Sequence, residues 1–211
     1  RILNVPVILY ENNFVIGRAN KYLLPLSKRL LTGMDKICGF KKKYNNKIHF
    51  VGNILREDIL NFSNNIKKEI NDSFTILVLG GSQGAKIFGE VLPKTIKKIK
   101  NSGKKIIVYQ QCIKNQTNSL TNFYKINNIE HLVFEFTNNI LELITKADLA
   151  ISRCGASTTA ELSYTQTPFI AVPYPFALDN HQHLNAKYYE EKKYCWILEQ
   201  KNFDSNNLFN L

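Results

Sequence analysis

The sequence predicts an α/β protein with an open parallel β-sheet, and three observations lead to this fold class. Beyond residue 73, six short apolar runs alternate with helix-like stretches at the spacing of βαβ units. Two of these runs end in a glycine-containing loop that leads into a predicted helix. The 211 residues are 44% apolar and 21% charged, which is typical of a packed globular protein and excludes disordered and fibrous classes.

The first predicted unit of this sheet is the apolar run Phe74–Leu79, a buried parallel strand, followed by a helix that extends to about Lys100. Isoleucine and valine lie on one side of that helix and lysines on the other. The later predicted strands are 106–109, 131–136, 148–152, 169–172 and 195–198. The helices between them are predicted at 115–127, 139–147, Ala156–Tyr164 and 181–192.

The first quarter of the chain shows a less complete pattern. A strand is predicted at 5–10, a helix at 17–28 and a short strand at 49–51. We interpret residues 1–51 as the end of a first α/β domain, 52–72 as an inter-domain segment and 73–211 as a second, truncated domain. Because the chain starts with Arg1 in a strand-like run, we expect it to be a piece of a longer protein.

Charge and cysteine content narrow the function classes. The net charge is +11, with a balance of +13 in residues 1–105 and −2 in residues 106–211. Such an excess of positive charge favours binding to an anionic membrane surface or to nucleic acid. The alternative is that it only reflects lysine-rich helix faces exposed to solvent. We expect no nucleic-acid partner, because no nucleic-acid-binding motif is present.

The four cysteines are scattered, as reduced thiols in a cytosolic protein would be, and no metal site is predicted. No run of 18 apolar residues predicts a membrane-spanning helix.

The loop 80–84, GGSQG, is a candidate phosphate-binding loop. Glycines let the backbone approach a ligand, and the start of the following helix offers free N–H groups to an anion. The loop is neither a Walker A motif nor a spaced GxGxxG motif. A plain tight turn between strand and helix is the alternative.

The loop 152–161, SRCGASTTAE, repeats this arrangement. Ser157, Thr158 and Thr159 supply hydroxyl and N–H donors in the first helical turn, and Glu161 follows at a position where a carboxylate accepts ribose hydroxyls. The alternative is an ordinary helix start with an acidic residue in its early turns. Two such loops in one sheet, without a P-loop lysine, indicate a sugar nucleotide.

A polar segment, residues 179–185, follows a proline-rich loop. Its Asp, Asn and Gln side chains offer the mixed donors and acceptors that sugar hydroxyls require. His181 and His183 are also candidates for metal ligands, but no carboxylate or cysteine stands at ligand spacing. Sugar contact, or simply a polar helix start, is therefore favoured over metal binding.

Five stretches together resemble the MurG family of bacterial peptidoglycan synthesis. They are LVLGGSQGAKI at 77–87, ISRCGASTTAEL at 151–162, VPYPFALDNHQHLNA at 172–186, YENNFVIGRANK at 10–21 and VGNILR at 51–56. Members of this family are UDP-N-acetylglucosamine–N-acetylmuramyl-(pentapeptide) pyrophosphoryl-undecaprenol N-acetylglucosamine transferases. The resemblance implies a GT-B architecture, in which two Rossmann-like domains face each other and the C-terminal domain holds the sugar nucleotide.

The resemblance also implies roles for particular residues towards UDP-N-acetylglucosamine (UDP-GlcNAc). Asn13 would contact the donor from the first domain, and Arg56 and Ser82 would reach the diphosphate. Phe136 and Thr137 would flank the uracil, and Glu161 would bind the ribose. Gln182, with its neighbour His181, would contact the GlcNAc hydroxyls. The helix start would meet phosphate and sugar through Ala156, Ser157, Thr158 and Thr159.

The implied reaction is inverting transfer of GlcNAc to an undecaprenyl-linked muramoyl-pentapeptide, without metal or cofactor, by a peripheral enzyme at the cytoplasmic face of the membrane. Tyr10, Asn12 and Ile54 depart from the family's His, Gln and Pro. The family's N-terminal GGTGGH-like loop does not occur in this sequence, and no catalytic base is identified. We therefore expect no transfer by these 211 residues alone. The alternatives are an inactive remnant that at most binds the donor, and a GT-B relative with another acceptor.

Overall fold

The computed structural model describes residues 5–61, 72–81 and 85–211, and within them all strand pairs are parallel. The strands lie in one sheet of three and one sheet of six, which share no strand. The strands are β1 (Ile8–Glu11), β2 (Arg29–Thr32), β3 (Ile48–Phe50), β4 (Phe74–Leu79), β5 (Ile106–Gln111), β6 (Glu130–Phe134), β7 (Leu149–Ser152), β8 (Phe169–Ala171) and β9 (Cys195–Ile197). The α-helices are α1 (Arg18–Leu23), α2 (Glu57–Leu60), α3 (Lys86–Asn101), α4 (Thr117–Ile126), α5 (Ile140–Lys146), α6 (Ala156–Tyr164), α7 (His181–Glu191) and α8 (Ser205–Phe209).

The six-stranded sheet has the order β6-β5-β4-β7-β8-β9. This is the doubly wound order of a Rossmann sheet, in which the chain first winds one way from β4 and then the other way from β7. The loops that follow β4 and β7 therefore leave the same edge of the sheet and diverge to opposite faces. Ligands of open α/β sheets bind in the crevice at this switch point, between the two loops.

Both faces of this sheet are covered, which explains the unbroken apolar run of β4. Ile76 and Val78 pack in a core cluster with α3, while Leu77 and Leu79 pack in a second cluster with α5 and α6. The five consecutive side chains of β4 from Thr75 to Leu79 are all buried, and four of them are apolar, as expected for a central parallel strand. Most predicted strand and helix ends in this part of the chain lie within one or two residues of the observed ones.

The last 13 residues also belong to this core, although no element was predicted for them. The helix α8 lies against α3, and the ring of Phe203, which follows the short 3₁₀ turn Gln200–Asn202, is 5.2 Å from that of Phe88. Asp204 caps α8 by accepting hydrogen bonds from the backbone N–H groups of Asn206 and Asn207. Phe203 and Leu208 thereby extend the core cluster on the α3 face of the sheet.

The three-stranded sheet, in the order β1-β2-β3, corrects the prediction for residues 17–28. Its helix ends at Leu23 rather than at residue 28, because Pro25 disfavours the helical conformation of the preceding residue and lacks an N–H donor. The four residues of β2 were not predicted as a strand. The first of them, Arg29, forms a basic pair with Lys28, so this stretch resembles the end of the preceding helix.

Candidate functional site

A cleft of about 910 Å³ lies at the switch point of the six-stranded sheet. One wall is Asn12 and Asn13, from the loop after β1, and the other is formed by the loops after β4 and β7 and by the start of α7. Five predicted site residues line it together: Asn13, Ala156, Ser157, Thr158 and Gln182. The structure thus brings together residues that are separated by up to 169 positions in the chain.

The glycine loop borders this cleft immediately after β4. Gly81 has a φ of +81°, a conformation that L side chains rarely adopt, and a Cβ placed there would contact nothing. The backbone N–H of Gly80 donates to Oε1 of Gln111, 3.1 Å away. Ser82, the residue predicted to reach the diphosphate, lies outside the described residues.

The start of α6 presents a second set of donors to the cleft. Gly155 has extended backbone angles at the N-cap and no side chain caps the helix there, so the first-turn N–H groups are available to a ligand. Ser157 is exposed, and Thr158 is half-buried. Thr159 departs from the expectation, because it is fully buried and its hydroxyl lies within hydrogen-bond distance of the carbonyls of Gly155 and Ala156. It holds the helix start instead of facing the cleft.

Asn13 is fixed by two residues that sequence reasoning did not single out. The buried carboxylate of Glu11 accepts from the N–H and the side-chain amide of Asn13, from the N–H of Gly17 and from the amide of Asn20, at 2.7–3.1 Å. The amide of the fully buried Asn185 donates to Oδ1 of Asn13 at 3.0 Å. Glu11 and Asn185 lie in stretches noted above, 10–21 and 172–186, but the sequence does not indicate which residues their side chains contact.

Asn185 also joins the two sheets. Its Oδ1 accepts from the backbone N–H of Phe14 at 2.9 Å, and its amide donates to the carbonyl of Cys154 at 3.1 Å. One side chain of α7 therefore contacts the loop after β1 and the loop after β7. The relative position of the two walls of the cleft depends on this residue.

Gln182 is oriented by the backbone around it. Its Oε1 accepts from the N–H groups of Cys154 and Tyr174, at 3.2 and 2.9 Å. With that oxygen occupied, the amide nitrogen is the group that remains to donate to a ligand in the cleft. This suits the contact with sugar hydroxyls that was predicted for Gln182.

Arg56 and Glu161 form an ion pair between the segment after β3 and the second turn of α6. Nε of Arg56 is 3.2 Å from Oε1 of Glu161, whose side chain is 16% exposed. Burial raises the pKa of Glu161, and the positive charge of Arg56 partly opposes this shift. The residues predicted to bind diphosphate and ribose are therefore in contact with each other, although neither is among the residues that line the cleft.

Phe136 and Thr137 lie beyond the end of β6, two strands away from β4. The side chain of Phe136 is 78% exposed, and the hydroxyl of Thr137 accepts from the N–H of Asn139 at 3.0 Å. Neither lines the 910 Å³ cleft. They stand at the same edge of the sheet as the cleft, on its β6 side.

Arg153 is a cleft residue whose role the sequence did not indicate. It is 8% exposed, and its guanidinium donates to the carbonyls of Val172 and Pro173 and to Oε1 of Gln200. Burial lowers the pKa of Arg153. All these acceptors are neutral, so a buried positive charge stands in the wall of the cleft.

The two histidines considered as metal ligands are hydrogen-bonded to other groups of the protein. Nδ1 of His181 is 2.7 Å from the carbonyl of Leu178, and Nδ1 of His183 is 2.7 Å from the carboxylate of Glu199. Within residues 5–61, 72–81 and 85–211, no group of three His, Cys, Asp or Glu side chains is placed to hold a metal ion. None of the helices in these described ranges has the length and apolar character needed to cross a membrane.

A doubly wound sheet with a cleft at its switch point, facing a second parallel sheet across that cleft, is the arrangement of the GT-B fold. Residues 75–211 match the model of the glycosyltransferase family 28 C-terminal domain, and the chain belongs to this family. The calicheamicin glycosyltransferase CalG4 has the same fold, with a TM-score of 0.63 at 9% identity over 99% of this chain and 59% of its own.

More similar proteins support the resemblance that the motifs indicated. A relative from Pelagibacter ubique is 37% identical over all of this chain and 58% of its own length. It is named UDP-N-acetylglucosamine–N-acetylmuramyl-(pentapeptide) pyrophosphoryl-undecaprenol N-acetylglucosamine transferase. The crystal structure of MurG from Acinetobacter baumannii superposes with a TM-score of 0.78 at 25% identity, over 99% of this chain and 57% of that one. The likeness to the MurG family is thereby confirmed, and the chain spans somewhat more than half the length of these proteins.

Proposed function

We propose that this chain provides the donor-binding part of an N-acetylglucosaminyltransferase of peptidoglycan synthesis. The donor is UDP-GlcNAc, and the acceptor is an undecaprenyl-linked muramoyl-pentapeptide, as in the name of the Pelagibacter relative. The observation that carries the proposal is the pair of helix starts, after β4 and β7, that line one cleft together with Gln182 and face Asn13 across it. Such a cleft offers backbone donors for phosphate and side-chain amides for sugar in adjacent positions.

The leaving group is the part of the donor that this site is best suited to stabilise. In an inverting transfer, the acceptor hydroxyl attacks the anomeric carbon of GlcNAc and the bond to the UDP oxygen breaks. Negative charge then grows on the diphosphate, where the helix starts of α3 and α6 direct their N–H groups. Arg56 at the α6 side and the buried cation of Arg153 add positive potential to the same region.

Glu161 has a different task, which is to bind the ribose. An ionised carboxylate accepts two hydrogen bonds from a vicinal diol, and the neighbouring Arg56 favours the ionised form. Binding of the donor changes the partners of both residues, because Glu161 holds Arg56 in the structure described here. The site then binds diphosphate and ribose with residues that are already adjacent.

Binding of UDP to the 211-residue chain, measured by calorimetry, tests the donor assignment. Glu161→Ala is expected to lower the binding free energy by about 1.5–3 kcal/mol, the value of a hydrogen bond to a charged group. Glu191→Ala, at an exposed position at the end of α7, is the matched control. Equal UDP affinity in wild type and Glu161→Ala contradicts the ribose role, and absence of UDP binding by the wild type contradicts the proposal.

The diphosphate is expected to bind without a divalent metal, since backbone N–H groups and arginines supply the positive charge. Calorimetry with EDTA and with added Mg²⁺ or Mn²⁺ should therefore give the same UDP affinity. A requirement for either ion would contradict this part of the proposal. The acceptor is tested by incorporation of radiolabelled GlcNAc into a lipid-linked muramoyl-pentapeptide, with this chain fused to the N-terminal part of the Pelagibacter relative.

The surface around α1 supports a location at the cytoplasmic face of an anionic membrane. Tyr22 and Leu26 are 80% and 57% exposed, and the exposed cations Lys21, Lys28 and Arg29 lie next to them in the chain. Apolar side chains within a basic surface bind to anionic bilayers both by insertion and by charge. Cosedimentation with phosphatidylglycerol vesicles, but not with phosphatidylcholine vesicles, is expected and should weaken in Lys21→Glu/Lys28→Glu.

A further inference from the structure

The connection between β5 and α4 contacts the glycine loop from outside the cleft. Gln111, the last residue of β5, accepts from the N–H of Gly80 with its Oε1 at 3.1 Å. With its Nε2, the same side chain donates to the carbonyl of Glu135 at 3.2 Å. A single amide therefore joins the start of the glycine loop to the segment that leads directly into Phe136 and Thr137.

Gln116, five residues further along, contacts the start of α3, the helix that follows the glycine loop. Its Nε2 donates to the carbonyl of Lys86, the first residue of α3, at 3.0 Å. The side chain occupies the space beside Gly89, where an added Cβ would lie 2.6 Å from Oε1 of Gln116. That oxygen is buried and finds no hydrogen-bond partner among the described residues. The absence of a side chain at position 89 is what allows Gln116 to reach α3.

We propose that Gln111 and Gln116 are positioning residues for the diphosphate, Gln111 by holding the backbone of Gly80 and Gln116 by holding the first residue of α3, and that Gln111 also sets the segment at 135–137 for the base. The inference rests on the proposed function, which assigns the phosphate to the helix starts after β4 and β7, and on the resemblance, which implies that Phe136 and Thr137 flank the uracil. Neither glutamine lines the cleft, so both act through the backbone groups they hold. Pre-organised N–H donors bind an anion more tightly than donors that must first be ordered.

The two glutamines have separable consequences for binding. Loss of Gln116 disturbs only the α3 end of the glycine loop, and should weaken UDP relative to UMP, which lacks the second phosphate. Loss of Gln111 disturbs both loops, and should also weaken UDP relative to CDP, which differs in the base. A residue that merely stabilised the fold would weaken all three nucleotides by the same factor.

The experiment measures the affinities of UDP, UMP and CDP for the 211-residue chain by calorimetry, with a thermal melt of each variant. Gln111→Met removes both hydrogen bonds at nearly constant size, and is expected to lower both affinity ratios roughly three- to tenfold, the effect of one or two neutral hydrogen bonds. Gln111→Glu keeps an acceptor for Gly80 but not the donor for Glu135, and adds a negative charge beside the diphosphate. Its UDP-to-CDP ratio, in which the phosphates are the same, therefore tests the contact with Glu135 and should fall. Gln116→Met should lower only the UDP-to-UMP ratio.

Gly89→Ala tests the same contact without altering either glutamine. The added methyl group displaces Gln116, so this substitution should reproduce the UDP-to-UMP effect of Gln116→Met, while alanine strengthens the helix itself. Combined with Gln116→Met, it should have no further effect on affinity. Gln166→Met, at an exposed turn after α6, is the matched control and should leave both ratios unchanged.

The outcomes distinguish this inference from the proposed function. If the wild type does not bind UDP, the proposed function fails and the inference fails with it. If the wild type binds UDP but Gln111→Met stays within twofold of it, or loses all three nucleotides equally, only the inference is overturned. Should Gln111→Met fail to fold, the two ratios measured for Gln111→Glu and Gly89→Ala give the decision.

Discussion

The six-stranded sheet and the three-stranded sheet bury their apolar side chains very differently. The first has a core cluster on each face, with helices over both. The second has one small cluster of four buried residues: Leu9, Ile16, Leu24 and Leu30. Large apolar side chains around it stay exposed, among them Val5 at 64%, Ile8 at 56% and Phe50 at 58%. The three-stranded sheet thus gains much less hydrophobic stabilisation per residue.

This difference bears on how the two walls of the cleft are held. The wall formed by the loops after β4 and β7 is fixed by the packed sheet from which those loops leave. The wall that carries Asn13 is placed both by apolar contacts, since Met34 and Phe14 pack in a core cluster of the six-stranded sheet, and by polar contacts across the interface. The carboxylate of Glu11 fixes the loop after β1, and Asn185 of α7 donates to Asn13 in that loop. Two ion pairs, Arg18 with Asp179 and Asp35 with Lys192, join the same region to the turn before α7 and to α7 itself. The geometry of the cleft therefore also depends on the less densely packed of the two regions.

Equivalent cavities in the two cores give the largest expected contrast. Leu77 and Leu30 are both fully buried. Leu77→Ala should lower the free energy of unfolding of the six-stranded sheet by roughly 2–5 kcal/mol. Leu30→Ala should instead accelerate amide hydrogen exchange in β1–β3 and leave the main thermal transition nearly unchanged. If both variants lower that transition equally, the two regions unfold as one unit and the comparison fails.

Asn185→Leu addresses the bridge between the regions, with an expected cost of about 1–3 kcal/mol. The substitution leaves the N–H of Phe14 and the carbonyl of Cys154 without their buried partner. Faster hydrogen exchange in residues 12–16 and weaker UDP binding should accompany this loss. Asn122→Leu, on the exposed side of α4, is the control. Unchanged exchange in residues 12–16 would show that other contacts place this wall.

Glu161→Gln is expected to make a smaller change, which depends on pH. Burial raises the pKa of Glu161 above its ordinary value of 4.5, so ionisation of this group disfavours the folded state. Its contribution to stability is complete below pH 4.5 and is lost as the pH rises through the folded pKa. Denaturant titrations should therefore show the variant gaining stability relative to wild type across this interval, while its UDP affinity falls. A constant difference at all pH values would contradict the role of burial.

The exposed ion pair between Lys192 and Asp35 should have the smallest effect. Nζ of Lys192 is 3.2 Å from Oδ2 of Asp35, and both side chains are at least 40% exposed. Asp35→Asn should cost about 0–1 kcal/mol at low salt, and less at high salt. Chemical denaturation of this variant at two ionic strengths measures the difference. A larger, salt-independent loss would mean that polar surface contacts contribute more to the interface than Asn185 does.

How far the sequence predicted the fold follows the same division between regions. The alternation of apolar runs and amphipathic stretches predicted six strands of one sheet, because central parallel strands need a continuous apolar sequence. The strand β2, with only four residues beside a basic pair, carried no such signal. The end of the helix before β2 was predicted too late, although Pro25 gives a local reason for the helix to end there.

The candidate site was predicted to a similar extent. Both glycine-containing loops were identified, and Ala156, Ser157 and Thr158 do line the cleft. The inward orientation of Thr159 could not be predicted, since a hydroxyl at a helix start is equally able to face a ligand or the preceding carbonyls. Gln111, Gln116 and Arg153 were not identified either. Their partners lie in other segments of the chain.

The sequence by itself determined the class of sheet, the two helix starts that border the cleft and the likeness to the MurG family. These are consequences of local composition, because strand burial, glycine content and helix initiation depend on neighbouring residues. Only the tertiary structure decided which side chains meet. Asn13 and Asn185 are 172 residues apart in the chain and 3.0 Å apart in the fold. Such a contact depends on how the two sheets pack together, and no local pattern encodes it.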